Sequence, residues 1–128
     1  MAWHSNMLKK KKTGGRKWAY RVKRLHEMGA HPIQTMLGET ERKKASGRSG
    51  INKIKLVSAD YVNVSDPSTG KTERLEVLDV VSNPANVDYN RRGVITKGVI
   101  VRTEKGLAKI VSRPGQHGVL NAVFYESD

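Results

Sequence analysis

The sequence predicts a mainly β protein: a small closed or nearly closed β-barrel of about six to seven short strands, preceded by an extended basic N-terminal arm with one short helix. Three observations carry this. Beyond Gly50, short runs rich in Val and Ile are separated by Gly- and Pro-containing turns at a spacing of about 8–12 residues. Residues 1–55 hold fifteen Lys and Arg against Glu27, Glu39 and Glu41, whereas residues 56–128 hold nine cations and nine carboxylates. Gly47-Arg48-Ser49-Gly50 breaks the chain where the pattern changes. The expected division is therefore residues 1–48 as a basic extension and residues 49–128 as a charge-balanced barrel domain.

Taken in order, residues 1–15 are polar, charged or Gly apart from Trp3, Met7 and Leu8, and are expected to order only on a partner. In residues 16–28, Trp18, Val22 and Leu25 fall at i, i+4 and i+7, which predicts a short basic helix that Gly29 ends. Thirteen residues are marginal as an isolated helix, so this one should form against a partner. Residues 40–44 suit one further helical turn. Ile54 and Leu56 then alternate with Lys53 and Lys55 as in a strand, and residues 61–64 make a second strand. Asp66-Pro67-Ser68-Thr69-Gly70 is a turn, because Pro67 presets φ and Asp66 can bond the following backbone. Leu75 and Val77 share one parity and Leu78 and Val80 the other, a slip that predicts a bulge or bend. A loop over residues 83–93 precedes three strands, at 94–102, 107–112 and 119–125.

The chain has 128 residues, a net charge of +12, 37% hydrophobic residues and no cysteine. Disulfides and thiolate metal sites are thereby excluded. No apolar run approaches the roughly 20 residues of a membrane span, and no signal-peptide core follows the N-terminal charges. A soluble, intracellular protein is expected. Its charge points to a polyanionic partner, nucleic acid before acidic lipid.

The candidate RNA-binding residues lie in the first half and in the barrel loops. Lys9, Lys10, Lys11 and Lys12 repel one another in water and need a polyanion beside them; Thr13, Gly14, Gly15, Arg16 and Lys17 continue the segment. Arg21, Lys23 and Arg24 line the expected helix, and Arg42, Lys43, Lys44, Arg48 and Lys53 form a second basic block. Arg91, Arg92, Lys97 and Arg113 sit in or beside loops, where binding residues often lie. Arginine can fork onto phosphate oxygens, whereas lysine acts as a point charge. Trp18, on the apolar stripe, is read as packing against protein; Tyr20, off it, is a candidate for stacking on an unpaired base. Gly14-Gly15 lacks the preceding strand and the Gly-Lys-Ser/Thr element of a nucleotide loop, and reads as a flexible joint or a point where RNA backbone passes close. His4, His26, His31 and His117 share no metal-ligand spacing, and no Gly-x-Ser-x-Gly elbow occurs. No enzyme activity, cofactor, metal, small-molecule substrate or membrane partner is expected.

Four motifs in order resemble those of one family, the archaeal and eukaryotic small-subunit ribosomal protein eight. They are Thr13-Gly14-Gly15-Arg16; Asn83-Pro84-Ala85-Asn86 with Arg91-Arg92 and Ile95-Thr96-Lys97-Gly98; Thr103-Glu104 through Gly106; and Ser112-Arg113-Pro114-Gly115-Gln116 with Gly118-Val119-Leu120-Asn121-Ala122-Val123. The resemblance covers residues 13–124 and is to archaeal members. It implies a cytoplasmic ribosomal protein bound to small-subunit ribosomal RNA beside neighbouring ribosomal proteins, with a β-barrel body and a basic extension. Where the family reads Arg-x-Gly-Gly-Asn, this chain has Arg48-Ser49-Gly50-Ile51-Asn52. On charge alone, a free-standing nucleic-acid-binding or RNA-chaperone protein is the alternative, and a basic module for acidic protein or membrane is a third.

Overall fold

In the second half of the chain, apolar and polar residues alternate along short segments, and a segment with one apolar face must bury that face in a sheet interior. The computed structural model, which describes residues 9–19 and 21–125, shows how this is done. Expectations for residues 1–8 and Tyr20 lie outside the described residues. Five strands close a barrel in the order β4 (Tyr61–Ser65), β5 (Thr72–Ser82), β6 (Ile100–Thr103), β7 (Gly106–Ile110) and β8 (Asn121–Phe124). Successive strands pair antiparallel, and closure comes from a parallel pairing of β4 with β8 at Asn63↔Asn121, Val64↔Ala122 and Ser65↔Val123. A second sheet is built from β1 (Met36–Leu37), β2 (Glu41–Ser46) and β3 (Asn52–Ala59) in the order β1-β3-β2.

A five-stranded barrel is narrow, so its interior takes small side chains. Val62, Val64, Leu75, Val77, Val99, Val101, Ala108, Ile110 and Ala122 fill it, with Leu56 of β3 and Leu120 in the same cluster. Each fully buried Val or Ile side chain contributes about 1.5–3 kcal/mol relative to exposure. β5 serves both neighbours: its first half pairs with β4 and its second with β6, with register shifts at Val77/Asp79 and Val80/Ser82. The parity slip after Val77 is therefore a bulge. It turns Val80 inward and leaves Leu78 outside. Buried polar groups are satisfied: Thr35 Oγ1 donates to Leu56 O at 2.8 Å, and Asn83 Nδ2 donates to Val94 O at 2.7 Å.

The β4–β5 turn forms as its composition implies. The Asp66 carboxylate accepts from Ser68 Oγ, Ser68 N and Thr69 Oγ1, and these bonds, the Ser68 hydroxyl's first, hold it below the ordinary carboxylate range. Gly70 takes φ 69° to end the turn.

Three expectations are corrected. The barrel has five strands, not six or seven, with three more in a separate sheet. The helix over 16–28 is reduced to one 3-10 turn, Leu25–Glu27; Trp18, Val22 and Leu25 are 81%, 84% and 85% exposed, so among the described residues the helical stripe stays uncovered and Trp18 does not pack. Residues 41–46 form strand β2 rather than a helical turn, because pairing with β3 outweighs the helix propensity of Glu-Arg-Lys-Lys. The 48/49 position lies between β2 and β3, which pair in one sheet, and the chain forms two compact units, one before Pro32 and one from Pro32 onward. The loops after β5 and β7 also hold short helices, α1 (Val87–Arg91) and α2 (Pro114–His117).

α2 packs against β3, and its terminal glycine sets how closely. Gly118 has φ 72°, and a Cβ there would lie 2.5 Å from Ile54 Cγ2. Gly118→Ala combines left-handed strain with a clash and should destabilise by about 2–4 kcal/mol in urea unfolding. A chain beginning at Pro32 should keep a single cooperative thermal transition. One beginning at Ser49 lacks β1, β2 and the Thr35 hydrogen bond, and should melt well below it.

Candidate nucleic-acid interface

The nine Lys and Arg between residues 9 and 24 that the charge pattern singled out all lie among the described residues of the first unit. Lys9, Lys10, Lys11, Lys12, Thr13, Gly14, Gly15, Arg16 and Lys17 are all exposed. They do not run straight: Gly14 N donates to Lys11 O at 3.0 Å and Lys11 N to Gly15 O at 2.9 Å. Gly14, at φ 81°, occupies the left-handed position this tight loop needs. The loop holds Lys11 and Lys12, and Lys9 and Lys10 lead into it.

Arg21 behaves differently. Its Nη1 and Nη2 each donate at 2.6 Å to one oxygen of Glu27, in a fork that also receives Arg24 N at 2.9 Å. The Arg21 hydrogen bond, then the Arg24 backbone, lowers the Glu27 pKa from 4.5 to about 2. Arg21 thus shapes the turn, while Arg24 is exposed and Lys23 half-buried.

In the second unit, β2 and β3 form a basic ribbon. Lys43 stands directly opposite Lys55, and Ala45 opposite Lys53, so Lys43, Lys53 and Lys55 share one face. Like charges directly opposite destabilise a strand pair unless an anion lies between or over them. Glu41 offers Lys43 only a surface contact of 3.7 Å. Lys55 was not among the sequence candidates, although its alternation with Lys53 around Ile54 carried the signal. Arg42 points to the other face and donates Nε to Gly118 O at 3.1 Å. Lys44 is exposed in the same strand. Arg48 lies in the 3-10 turn Arg48–Gly50 that joins β2 to β3; the left-handed backbone there falls on Ser49 (φ 59°) and Gly50 (φ 71°), not on Ile51.

The loop cations are partly committed. Arg91 and Arg92 both pair with Asp88, at 3.1 and 3.4 Å, and Arg92 Nη2 also donates to Gln34 Oε1 at 2.5 Å. Lys97 and Arg113 are exposed, with Arg113 at the N-terminus of α2. Among the described residues, no group of three His, Asp or Glu side chains is placed to hold a metal ion, and no helix is long and apolar enough to cross a membrane.

The family model described as Ribosomal protein S8e matches residues 4–125. The chain belongs to this family. Relatives named small ribosomal subunit protein eS8 extend over nearly the whole length. The protein of Staphylothermus marinus is 48% identical over 127 residues, covering 98% of this chain and 99% of the relative. That of Methanobrevibacter smithii is 47% identical over 112 residues, 88% of this chain and 90% of its own. That of Sulfolobus acidocaldarius is 39% identical over 125 residues, 97% and 98% of the two chains. The chain is thus an archaeal-type member of the S8e family, and its four motifs fall at the loop, at Asn83 and α1, at the β6–β7 turn and at α2–β8 of this fold.

The Glu27 fork gives a measurable consequence. Its folded pKa lies below the ordinary value, so its contribution to the turn is complete above pH 4.5 and is lost as the pH falls toward 2. An NMR titration should place the Glu27 carboxyl midpoint near 2, and Arg21→Gln should return it toward 4.5.

Proposed function

We propose that this chain is a structural, non-catalytic constituent of the small subunit of the cytoplasmic ribosome, binding small-subunit ribosomal RNA and supporting subunit assembly. The observation that carries the RNA reading is the Lys43–Lys53–Lys55 face, a cluster of like charges on a paired ribbon whose repulsion a phosphate backbone would relieve. The family supplies the ribosome, and the charge supplies the polyanion.

Residues 1–48, the basic extension, then act in two parts. The Lys9–Lys12 run with Thr13, Gly14, Gly15, Arg16, Lys17, Lys23 and Arg24 is the arm, with Arg21 exchanging its carboxylate for phosphate only if the Glu27 fork opens. Tyr20 is proposed to stack on an unpaired base. Arg42, Lys43, Lys44 and Arg48, joined by Lys53 and Lys55 of β3, form the second part. Arg91, Arg92, Lys97 and Arg113 present further charges from the loops. Phosphate contacts of this kind position a protein and carry little base information. Neighbouring ribosomal proteins are the remaining partners; no cofactor is involved.

Two measurements test this. The tagged chain should co-sediment with small subunits at moderate salt, and recovery only in the free-protein fractions would refute it. Replacing Lys43, Lys53 and Lys55 by Gln should weaken binding to ribosomal RNA fragments and lower the slope of log K against log salt by about 2–3, with little change in thermal stability.

A further inference from the structure

The outer face of the barrel carries a row of side chains that the charge pattern did not single out. Register sets it: Asn63 of β4 stands opposite Arg74 of β5 on one side and Asn121 of β8 on the other. All three are exposed, and Asn63 Nδ2 donates to Asn121 Oδ1 at 3.0 Å. Two residues before Asn63, and so on the same face, is Tyr61, 42% exposed, with the Arg74 guanidinium carbon 4.2 Å from its ring centre. Tyr61, Asn63 and Arg74 line a cleft of about 350 Å³ floored by Leu56, Ala59 and Leu120, with Arg42 at its wall, and Asn121 stands beside it on Asn63.

The chemistry of this cleft is specific. An aromatic ring joined to a guanidinium makes a stacking surface, the amides beside it offer donors and acceptors, and the floor is apolar. Arg74 makes no hydrogen bond, and Arg42 none beyond the bond to Gly118 O, among the described residues. Both retain donors for an anion. The carboxylate nearest in sequence, Asp60, accepts from Thr40 Oγ1 at 2.5 Å, and that bond, ahead of the charge of Arg74, holds it below the ordinary carboxylate range. Glu76, opposite Tyr61 in β5, is the other acidic group on this face. Arg42 also ties the cleft to the basic ribbon, since it belongs to the strand that carries Lys43.

We propose that this cleft receives one unpaired RNA nucleotide, its base stacked against the Tyr61–Arg74 pair and its phosphate held by Arg42 and Arg74. The proposal rests on the RNA-binding reading above and adds a place where the barrel grips an extruded base as well as a backbone. Aromatic and arginine planes on an exposed sheet are the means by which proteins hold splayed-out bases.

The test uses the full chain with a mixed-sequence single-stranded RNA decamer, a decamer duplex and an acidic peptide as probes. On the decamer, Tyr61→Ala and Arg74→Ala should each lose about 5- to 150-fold in affinity, Tyr61→Phe should stay near wild type, and the duplex should be much less affected. In the wild-type chain, the Tyr61 ring and the Asn63 and Asn121 side-chain amide NMR signals should shift with the decamer. The proposal is overturned if Tyr61→Ala binds the decamer as wild type does while the lysine variants still weaken it, an outcome that leaves the RNA reading intact. It is equally overturned if only the acidic peptide moves the Tyr61 and Asn63 signals, which would make the cleft a protein contact. Absence of any RNA binding by the full chain would remove the parent reading and this one together.

Discussion

The parallel pairing of β4 with β8 is the constraint on which the body of this protein depends. Without it, the other four pairings make an open five-stranded sheet with β4 and β8 as bare edges. With it, Val64 and Ala122 lie side by side in a closed interior, and the barrel offers no unpaired strand to another chain. Closure also fixes the outer face, since the register that buries Val62 and Val64 is the one that brings Arg74, Asn63 and Asn121 into a row. Packing inside and chemistry outside are therefore two results of the same alignment.

Charge is arranged around that neutral body at some cost to the isolated chain. The Lys43–Lys55 pairing sets ammonium groups across from each other in a ribbon that an apolar pair would stabilise better. The Lys9–Lys12 run sets four like charges in sequence, leading into the tight Lys11–Gly15 loop. An anionic partner that bound these surfaces in the folded state alone would stabilise that state by mass action. Arg21 is an instructive exception among the basic residues, because its charge is used within the chain to form a turn.

Much of the barrel was legible because alternation is a local property. Leu75, Val77 and Val80 stated both the buried face of β5 and its bulge before any pairing was known. What was not legible depended on partners distant in sequence. Trp18, Val22 and Leu25 have helical spacing, but spacing does not reveal that they stay exposed among the described residues. Glu41–Ser46 has no apolar alternation at all, and becomes a strand because β3 supplies its hydrogen bonds. The basic block was visible as charge, whereas its geometry, including the place of Lys55, appeared only with the β2–β3 register. Tyr61 and Arg74 are thirteen positions apart, and nothing short of the β4–β5 alignment brings them together.

The order of strands along the chain has a consequence for how the protein is made. β4 is complete by Ser65, yet the strand that shuts the barrel against it spans Asn121–Phe124. Synthesis proceeds from the N-terminus, so the basic segment and the β2–β3 ribbon leave the translating machinery well before closure can occur. The polycation exists for a time without its folded body, and a cell must keep it from straying onto other nucleic acid until the last strand arrives.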